Sequence, residues 1–471
     1  VSWTDLLALL PILILVLGST TLLMVGAWRP GYRPLLLAGV FTALAAALCA
    51  GLLHPPLGEV ARMFDTGPYG RFFTILWSLV AAVTLLLSLR YGEERRFPGG
   101  EYTALVLFAC AGMALLSSAT SLVGIFLGLE AFTLVLYILI AFHKGTAEGA
   151  EAGLKYLVLG AVATGFLALG IALIYAASGT FHLPEAMAAV SGEGRLRALG
   201  LVGWAMLLIA VGFKVSLVPF HLWTPDVYQG APAPVTGLLS TGSKGAVFAA
   251  LVPLAAGLGG GWHELAPVLW VLAALSMLIG TLCALAQENI KRMLAYSSVV
   301  HMGYVLIALL AAGAAGRSAV IFYLIAYAVV NLGAFGVIAS LADGETEPQD
   351  LERWQGIGYR HPFRAGAMSL FLLSLAGIPP TAGFIGKFGI FYAAVDEGYI
   401  TLVLLGVLAS LISLYYYLRP VIVMFMSDEE AVPLHPGGGH EHAGLVICLA
   451  ATLLLGILPG PLLDLIAAVV P

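Results

Sequence analysis

Charge is scarce in this chain. Only 10% of its 471 residues are Asp, Glu, Lys or Arg, 61% are hydrophobic, and the mean hydropathy is +1.00. A soluble domain carries roughly 25% charged residues, so there is too little charge here to cover a wetted exterior. Cysteine is scarce as well. Cys49, Cys110, Cys283 and Cys448 lie singly in apolar stretches without CxxC spacing, which argues against disulfides and iron–sulfur ligation. A Walker-type phosphate loop, a GxGxxG turn after a strand and any alternating strand pattern are all missing. The chain is therefore expected to hydrolyse no nucleotide, bind no NADH, hold no metal or cofactor and engage no nucleic acid.

What is present is a succession of apolar runs of about 20 residues, the length that crosses ~30 Å of hydrocarbon as a helix. The fold class this predicts is an all-α polytopic membrane protein. Fourteen spans are expected, at about 6–28, 34–54, 71–90, 101–118, 120–142, 152–177, 199–220, 235–256, 264–286, 294–314, 317–341, 363–394, 399–426 and 442–468. The opening "VSWTDLLALLPILILVLG" lacks a basic leader and a small-residue cleavage site, so it reads as a retained helix. Loops after odd-numbered spans hold twelve Lys and Arg residues and those after even-numbered spans five. That imbalance puts the odd loops in the cytoplasm and both termini outside.

The chain also echoes itself. "YLVLGAVATGFLALGIA" from Tyr156 resembles "YLIAYAVVNLGAFGVIA" from Tyr323, five spans later. The seventh span is interrupted at Pro219 and the twelfth within "GIPPTAGFIGKFGIF". A period of five spans is odd, so the repeats must be inverted across the membrane, and paired broken helices at matching positions point to a transport site near the midplane. The expected organisation is a three-helix segment (1–100), a first repeat of spans 4–8 (101–256), a second of spans 9–13 (264–426), and a loop with the last helix (427–471).

Five charges fall inside spans: Glu130, Lys155, Lys214, Lys244 and Lys387. Each central charge costs roughly 2.5–3.5 kcal/mol on insertion scales, and Lys155, close to a span end, has the option of snorkelling. Burial disfavours a charged amine and a nearby carboxylate favours it. At 4 Å and an effective dielectric near 20 such a pairing is worth ~4 kcal/mol. Moving Glu130 toward or away from Lys214 would then switch a lysine between holding and releasing a proton. His221 and His301 are candidate relays, and Ser216, Ser240, Thr241, Ser243, Ser297, Ser298 and Tyr304 are candidates for holding water or for plain helix packing. Asp226 in "WTPDVYQGAP" is expected to cap a turn or pair with a basic loop residue. "HPGGGHEH" (His435 to His442) reads as solvated Gly/Pro-rich loop rather than a metal tract.

The stretches "GFKVSLVPFHLWTPDVYQGAPAPVTGLLSTGSKGAVFAAL", "NIKRMLAYSSVVHMGY" and "SLAGIPPTAGFIGKFGIFYAAV" resemble the antiporter-like membrane subunits of respiratory complex I (NADH:quinone oxidoreductase). The likeness extends over essentially the whole chain. Thr224 and Lys387 fit the subunit N branch better than its M and L sisters, as does an end without a long lateral helix. The resemblance implies proton translocation through Glu130, Lys214, Lys244 and Lys387, with His221, His301 and Lys155 as relays. It also implies a bacterial inner-membrane location, neighbours of the M, K and J type, and NADH, FMN, iron–sulfur clusters and quinone in other subunits. A multisubunit Na+/H+ antiporter of the Mrp type and a hydrogenase-linked complex are the alternative settings for the same fold.

Overall fold

The structure is a computed structural model that describes residues 3–29, 31–54, 59–188, 195–257, 260–311, 313–344, 346–426 and 439–470. Among these, twelve helices are long and apolar enough to cross a bilayer. In chain order they are Trp3–Trp28, Tyr32–Leu52, Pro68–Ser88, Gly99–Ser117, Leu122–Ile140, Ala147–Ser178 and Arg195–Lys214, which form spans 1 to 7. Ala233–Ala256 forms span 8, and Gly260–Leu285, Ile290–Leu310 and Ala314–Leu341 form spans 9 to 11, with Ile400–Met426 as span 13. Span 12 is two shorter helices, Pro362–Ala376 and Ala382–Asp396.

Two boundaries differ from expectation. The last span, expected to be continuous over 442–468, bends by 85° between Glu441–Ile457 and Gly460–Val469. The sequence there reads Pro459-Gly460-Pro461, and neither proline can supply the N–H that would carry the helix through. Span 7 ends at Lys214, five residues before the proline expected to interrupt it.

That early stop has a backbone cause. Ser216 has φ of +63°; its N–H donates to the Phe213 carbonyl (3.1 Å) and the Leu217 N–H to the Gly212 carbonyl (2.8 Å). This is a Schellman termination. Span 12 breaks in the same way: Gly377 has φ of +88°, its N–H donates to Ser374 O (3.0 Å), and the Ile378 N–H donates to Leu373 O (3.0 Å). Each left-handed residue is followed three positions later by a proline in a cis bond, Pro219 and Pro380. The two interruptions are therefore the same local device. Backbone groups freed in span 7 find new partners, Val218 N–H on Ser276 Oγ (3.0 Å) and the Trp223 indole N–H on Phe213 O (3.0 Å), as irregular backbone at membrane depth requires.

Spans 8, 10 and 11 are almost wholly buried, whereas Phe41, Leu48 and Leu52 of span 2 face outward. Lipid tails are as apolar as the side chains, so close backbone approach through small residues does much of the packing. Spans 4 and 5 show it: a Cβ on Gly112 would lie 2.6 Å from the Phe132 nitrogen, and one on Gly128 2.5 Å from the Leu116 nitrogen.

The loops sort by parity. A polar cavity of about 320 Å³ is lined by Tyr91, Glu148, Ala231, Asn289 and Glu347, which follow spans 3, 5, 7, 9 and 11. An apolar cavity of about 250 Å³ is lined by Asp65, Thr120, His182 and Leu254, which follow or end spans 2, 4, 6 and 8. Odd and even loops thus gather into separate clusters, as alternating spans require.

Gly128→Leu should force spans 4 and 5 apart at a cost of ~1–3 kcal/mol or more. The expected result is a reduced amount of this chain in isolated membranes, quantified by immunoblot; a native level would refute close packing there.

Candidate functional site

The in-span charges sit where the backbone departs from regular helix. Lys214 is the last helical residue before the span 7 break. Lys244 directly follows a π-helical turn, Leu239–Ser243, a distortion common at functional positions. Lys387 lies one turn into the second half of span 12. Their exposures are 1%, 0% and 5%, so none of them snorkels.

Each of these amines meets a neutral hydroxyl. Lys214 Nζ donates to Thr133 Oγ1 of span 5 (2.9 Å) and lies 5.3 Å from the Tyr156 ring and 5.8 Å from the Tyr137 ring. Lys244 Nζ donates to Ser298 Oγ of span 10 (2.5 Å) and lies 5.4 Å from the Tyr228 ring, whose hydroxyl is 3.3 Å from the same serine. Lys387 Nζ donates to Ser410 Oγ of span 13 (2.8 Å) and to Ala376 O (3.0 Å), a carbonyl freed by the span 12 break. Among the described residues none of the three lies within 4.0 Å of a carboxylate.

Glu130 is near Lys214 but not paired with it. Its Oε1 accepts from the Thr164 hydroxyl (2.7 Å), while Thr133, three residues further along span 5, holds the lysine. Residues at i and i+3 share a helix face, so Glu130 and the lysine's partner are adjacent on one surface.

His301 links the middle to the far end. Its Nδ1 is hydrogen-bonded to the Tyr323 hydroxyl and its Nε2 to the Tyr417 hydroxyl (2.9 Å), and Tyr417 is bonded in turn to Ser297. The His301 ring packs edge-on to Tyr304 (5.6 Å), and Tyr304 lies 5.1 Å below Lys387 Nζ. Ser297, Ser298, His301 and Tyr304 recur at three- and four-residue spacing, so span 10, one of the deeply buried helices, carries a polar stripe. His221, beside the span 7 break, is 7% exposed, and its buried Nδ1 meets no partner in hydrogen-bonding geometry among the described residues.

Other candidates settle elsewhere. Lys155 lies off the buried line: its side chain is 32% exposed and it pairs with Asp226 (2.6 Å) and Glu151 (3.3 Å). Asp226 also takes Arg292 (2.7 Å), so it clamps the short helix Thr224–Gly230, beyond the span 7 break, to spans 6 and 10. Ser240, Thr241 and Ser243 turn back onto their own helix, on Gly237 O and Leu239 O. Residues 435–438 of the His435–His442 tract lie outside the described residues. Its end is not solvated: Glu441 is buried, 3.8 Å from Arg90, and the His442 ring packs on Phe363 (5.2 Å). All four cysteines are free. Thr133, Thr164, Tyr323, Tyr417 and Ser410 are partners that sequence reasoning passed over; hydroxyls are ordinary in membrane helices, and only the lysine or histidine opposite gives them meaning.

The Asp226 clamp has a defined pH behaviour. Burial raises its carboxyl pKa, but hydrogen bonds and charge from Lys155 and Arg292 outweigh this, and the pKa sits below the ordinary carboxylate value. Its contribution is complete above that ordinary value, about 4, and is lost only as pH falls through the depressed one. Asp226→Asn should therefore lower proton pumping by a similar factor at pH 6 and pH 8 in reconstituted vesicles. Lys155→Ala, which leaves Arg292 on the carboxylate, should cost within ~1 kcal/mol and leave pumping within about twofold of native.

Comparison with known proteins finds relatives over the whole chain. The profile described as NADH:quinone oxidoreductase/Mrp antiporter, TM matches residues 119–413. The NADH-quinone oxidoreductase subunit N of Syntrophotalea carbinolica is 47% identical over 476 residues, covering all of both chains. A chain in the structure of respiratory complex I from Thermus thermophilus with bound aureothin superposes with a TM-score of 0.80 at 36% identity, covering 97% of this chain and 99% of that one. A chain of the Mrp complex from a Dietzia species shares the fold, with a TM-score of 0.81 at 23% identity over 100% of this chain and 97% of that one. The chain belongs to the NADH:quinone oxidoreductase/Mrp antiporter transmembrane family, within its subunit N branch.

Proposed function

We propose that this chain is a non-redox, proton-translocating membrane subunit of an NADH:quinone oxidoreductase, moving protons outward across the bacterial inner membrane. The observation that carries the reading is the line of buried amines, each resting on a hydroxyl instead of a carboxylate. An ammonium taken out of water without a counter-charge is costly, and an incoming carboxylate offsets much of that cost. Such a group is poised to gain or lose its proton as a neighbouring charge moves. Proton-bearing side chains follow one another from Glu130 and Lys214 through Lys244 and His301 to Lys387, with hydroxyls between them able to pass a proton by donating and accepting.

In this reading Glu130 is the movable charge. With Thr164 holding it, Lys214 rests on Thr133; a shift of one turn brings carboxylate and amine together, and at 4 Å with an effective dielectric near 20 the pair gains ~4 kcal/mol. His221 stands beside the opened backbone as a side relay. Lys155 supports the clamp on span 7. The segments 101–256 and 264–426 act as inverted halves, the first facing the cytoplasm and the second facing outward, with both termini outside. NADH, FMN, iron–sulfur clusters and quinone belong to other subunits, and neighbours of the M, K and J type deliver the energy of quinone reduction as charge displacement.

Lys214→Ala in the assembled complex should cut NADH-driven proton pumping in vesicles to below about one tenth of native, within the 10²–10⁴-fold range of a positioned proton-transfer group. Subunit content should stay normal. Native pumping with intact subunit content would overturn the role of Lys214 and with it the path.

A further inference from the structure

The line of amines needs a source of protons. The polar cavity of about 320 Å³ among the odd-numbered loops is lined by the buried carboxylate of Glu347, and Lys291 stands behind it, paired with that carboxylate. Lys291 is fully buried in the first turn of span 10 and pairs with Glu347 at 2.7 Å; their side chains are 0% and 7% exposed. Glu347 comes from the segment after span 11 and lines the cavity. Lys291 had counted only as a loop charge in the sequence, and Glu347 carried no signal there.

The pair is tied to the helices around it. Lys291 Nζ donates to the Ala231 carbonyl (2.6 Å), just past the C-terminal end of the short helix Thr224–Gly230. Glu347 Oε1 accepts the Ala233 N–H (2.9 Å) at the start of span 8 and the Tyr91 hydroxyl. Cation at a helix C-terminus and anion at an N-terminus is the favourable arrangement for both dipoles. Burial raises the Glu347 carboxyl pKa, but Lys291, the Tyr91 hydroxyl and Arg95 outweigh it, so the group is held below its ordinary value and ionised.

Lys291 also points along the path. Ser298, which holds Lys244, is seven residues further along the same helix, two turns and ~10 Å on the same face. Tyr228, bonded to Ser298, lies three residues before Ala231, the carbonyl that Lys291 holds. Cavity, Glu347, Lys291, Tyr228, Ser298 and Lys244 thus succeed one another inward.

We propose that Glu347 and Lys291 form a proton-uptake relay between this cavity and Lys244. The proposal rests on the translocation reading above and on the odd loops facing the cytoplasm; it adds to the cytoplasmic path of 101–256 an entry built from cytoplasm-side residues of 264–426. Lys291 passes a proton inward and becomes a neutral amine. Glu347, having lost the nearer of its two counter-charges while Arg95 remains, takes a proton from cavity water and hands it to Lys291, restoring the ion pair. One proton enters for each one delivered, with water carrying it over the two helical turns to Ser298.

The competing role is purely structural, a capped helix and a satisfied charge, and the test separates the two. In the assembled complex reconstituted into vesicles, Glu347→Gln keeps the acceptor for Ala233 and Tyr91 but cannot carry the proton. It should slow NADH-driven pumping at least ~tenfold and enlarge the rate difference between H2O and D2O. Glu347→Asp should retain most activity. The double variant Glu347→Gln with Lys291→Met removes the unpaired buried charge that Glu347→Gln alone leaves; it should remain slow. Native pumping by Glu347→Gln, or recovery to native pumping in the double variant, would overturn the relay. If Lys214→Ala still abolishes pumping in that case, only the uptake route fails; if Lys214→Ala also pumps normally, the translocation reading fails with it.

Discussion

The structure turns on keeping basic groups inside an interior that has almost nothing to neutralise them. Lys214, Lys244 and Lys387 are buried, and hydroxyls from other spans are their nearest polar side chains. Hydroxyls satisfy hydrogen bonds without cancelling charge, so the cost of holding a proton stays high and responsive to whatever charge approaches. Much of the unusual backbone serves this arrangement. The Schellman break at Gly377 frees the Ala376 carbonyl for Lys387. The π turn precedes Lys244, and the break at Ser216 ends span 7 just beyond Lys214.

Full ion pairing is reserved for the rim. Asp226 with Lys155 and Arg292, and Glu441 near Arg90, lie at span ends or in loops. There, opposite charges pin helix ends together. The division makes physical sense: a carboxylate held by cations at the rim is an anchor, whereas a conducting line needs groups that can exchange a proton.

The sequence made the all-helical, many-span architecture and the presence of charges inside spans legible for one reason. In a chain this apolar, every Lys or Glu within a run is an anomaly, and hydropathy locates the run around it. The neutral partners were not legible, because Thr133, Thr164 and Ser410 look like any other helix-packing hydroxyl until the tertiary structure sets an amine or a carboxylate opposite. The end of span 7 was misplaced because Pro219 is a loud signal and Ser216 a silent one; a serine in the left-handed region has no glycine to announce it. The bend in the last span was announced by Pro459-Gly460-Pro461 and hidden by its apolar surroundings. Glu347 could not be told from the acidic residues around it, since its burial depends on span 10 and the start of span 8 meeting it.

The polar stripe on span 10 has a consequence for how this helix can vary. Lys291, Ser298, His301 and Tyr304 fall within an arc of about 140° on a helix with 3.6 residues per turn, in which each residue turns the chain by about 100°. Inserting a single alanine or leucine between Lys291 and Ser298 would leave the hydropathy profile essentially unchanged and the helix intact. It would nonetheless swing the histidine and its neighbours about a quarter turn away from Tyr323, Tyr417 and Lys244. Span 10 therefore behaves as a camshaft: substitutions along its apolar faces are tolerated within volume limits, while its length between fixed points is not free to change.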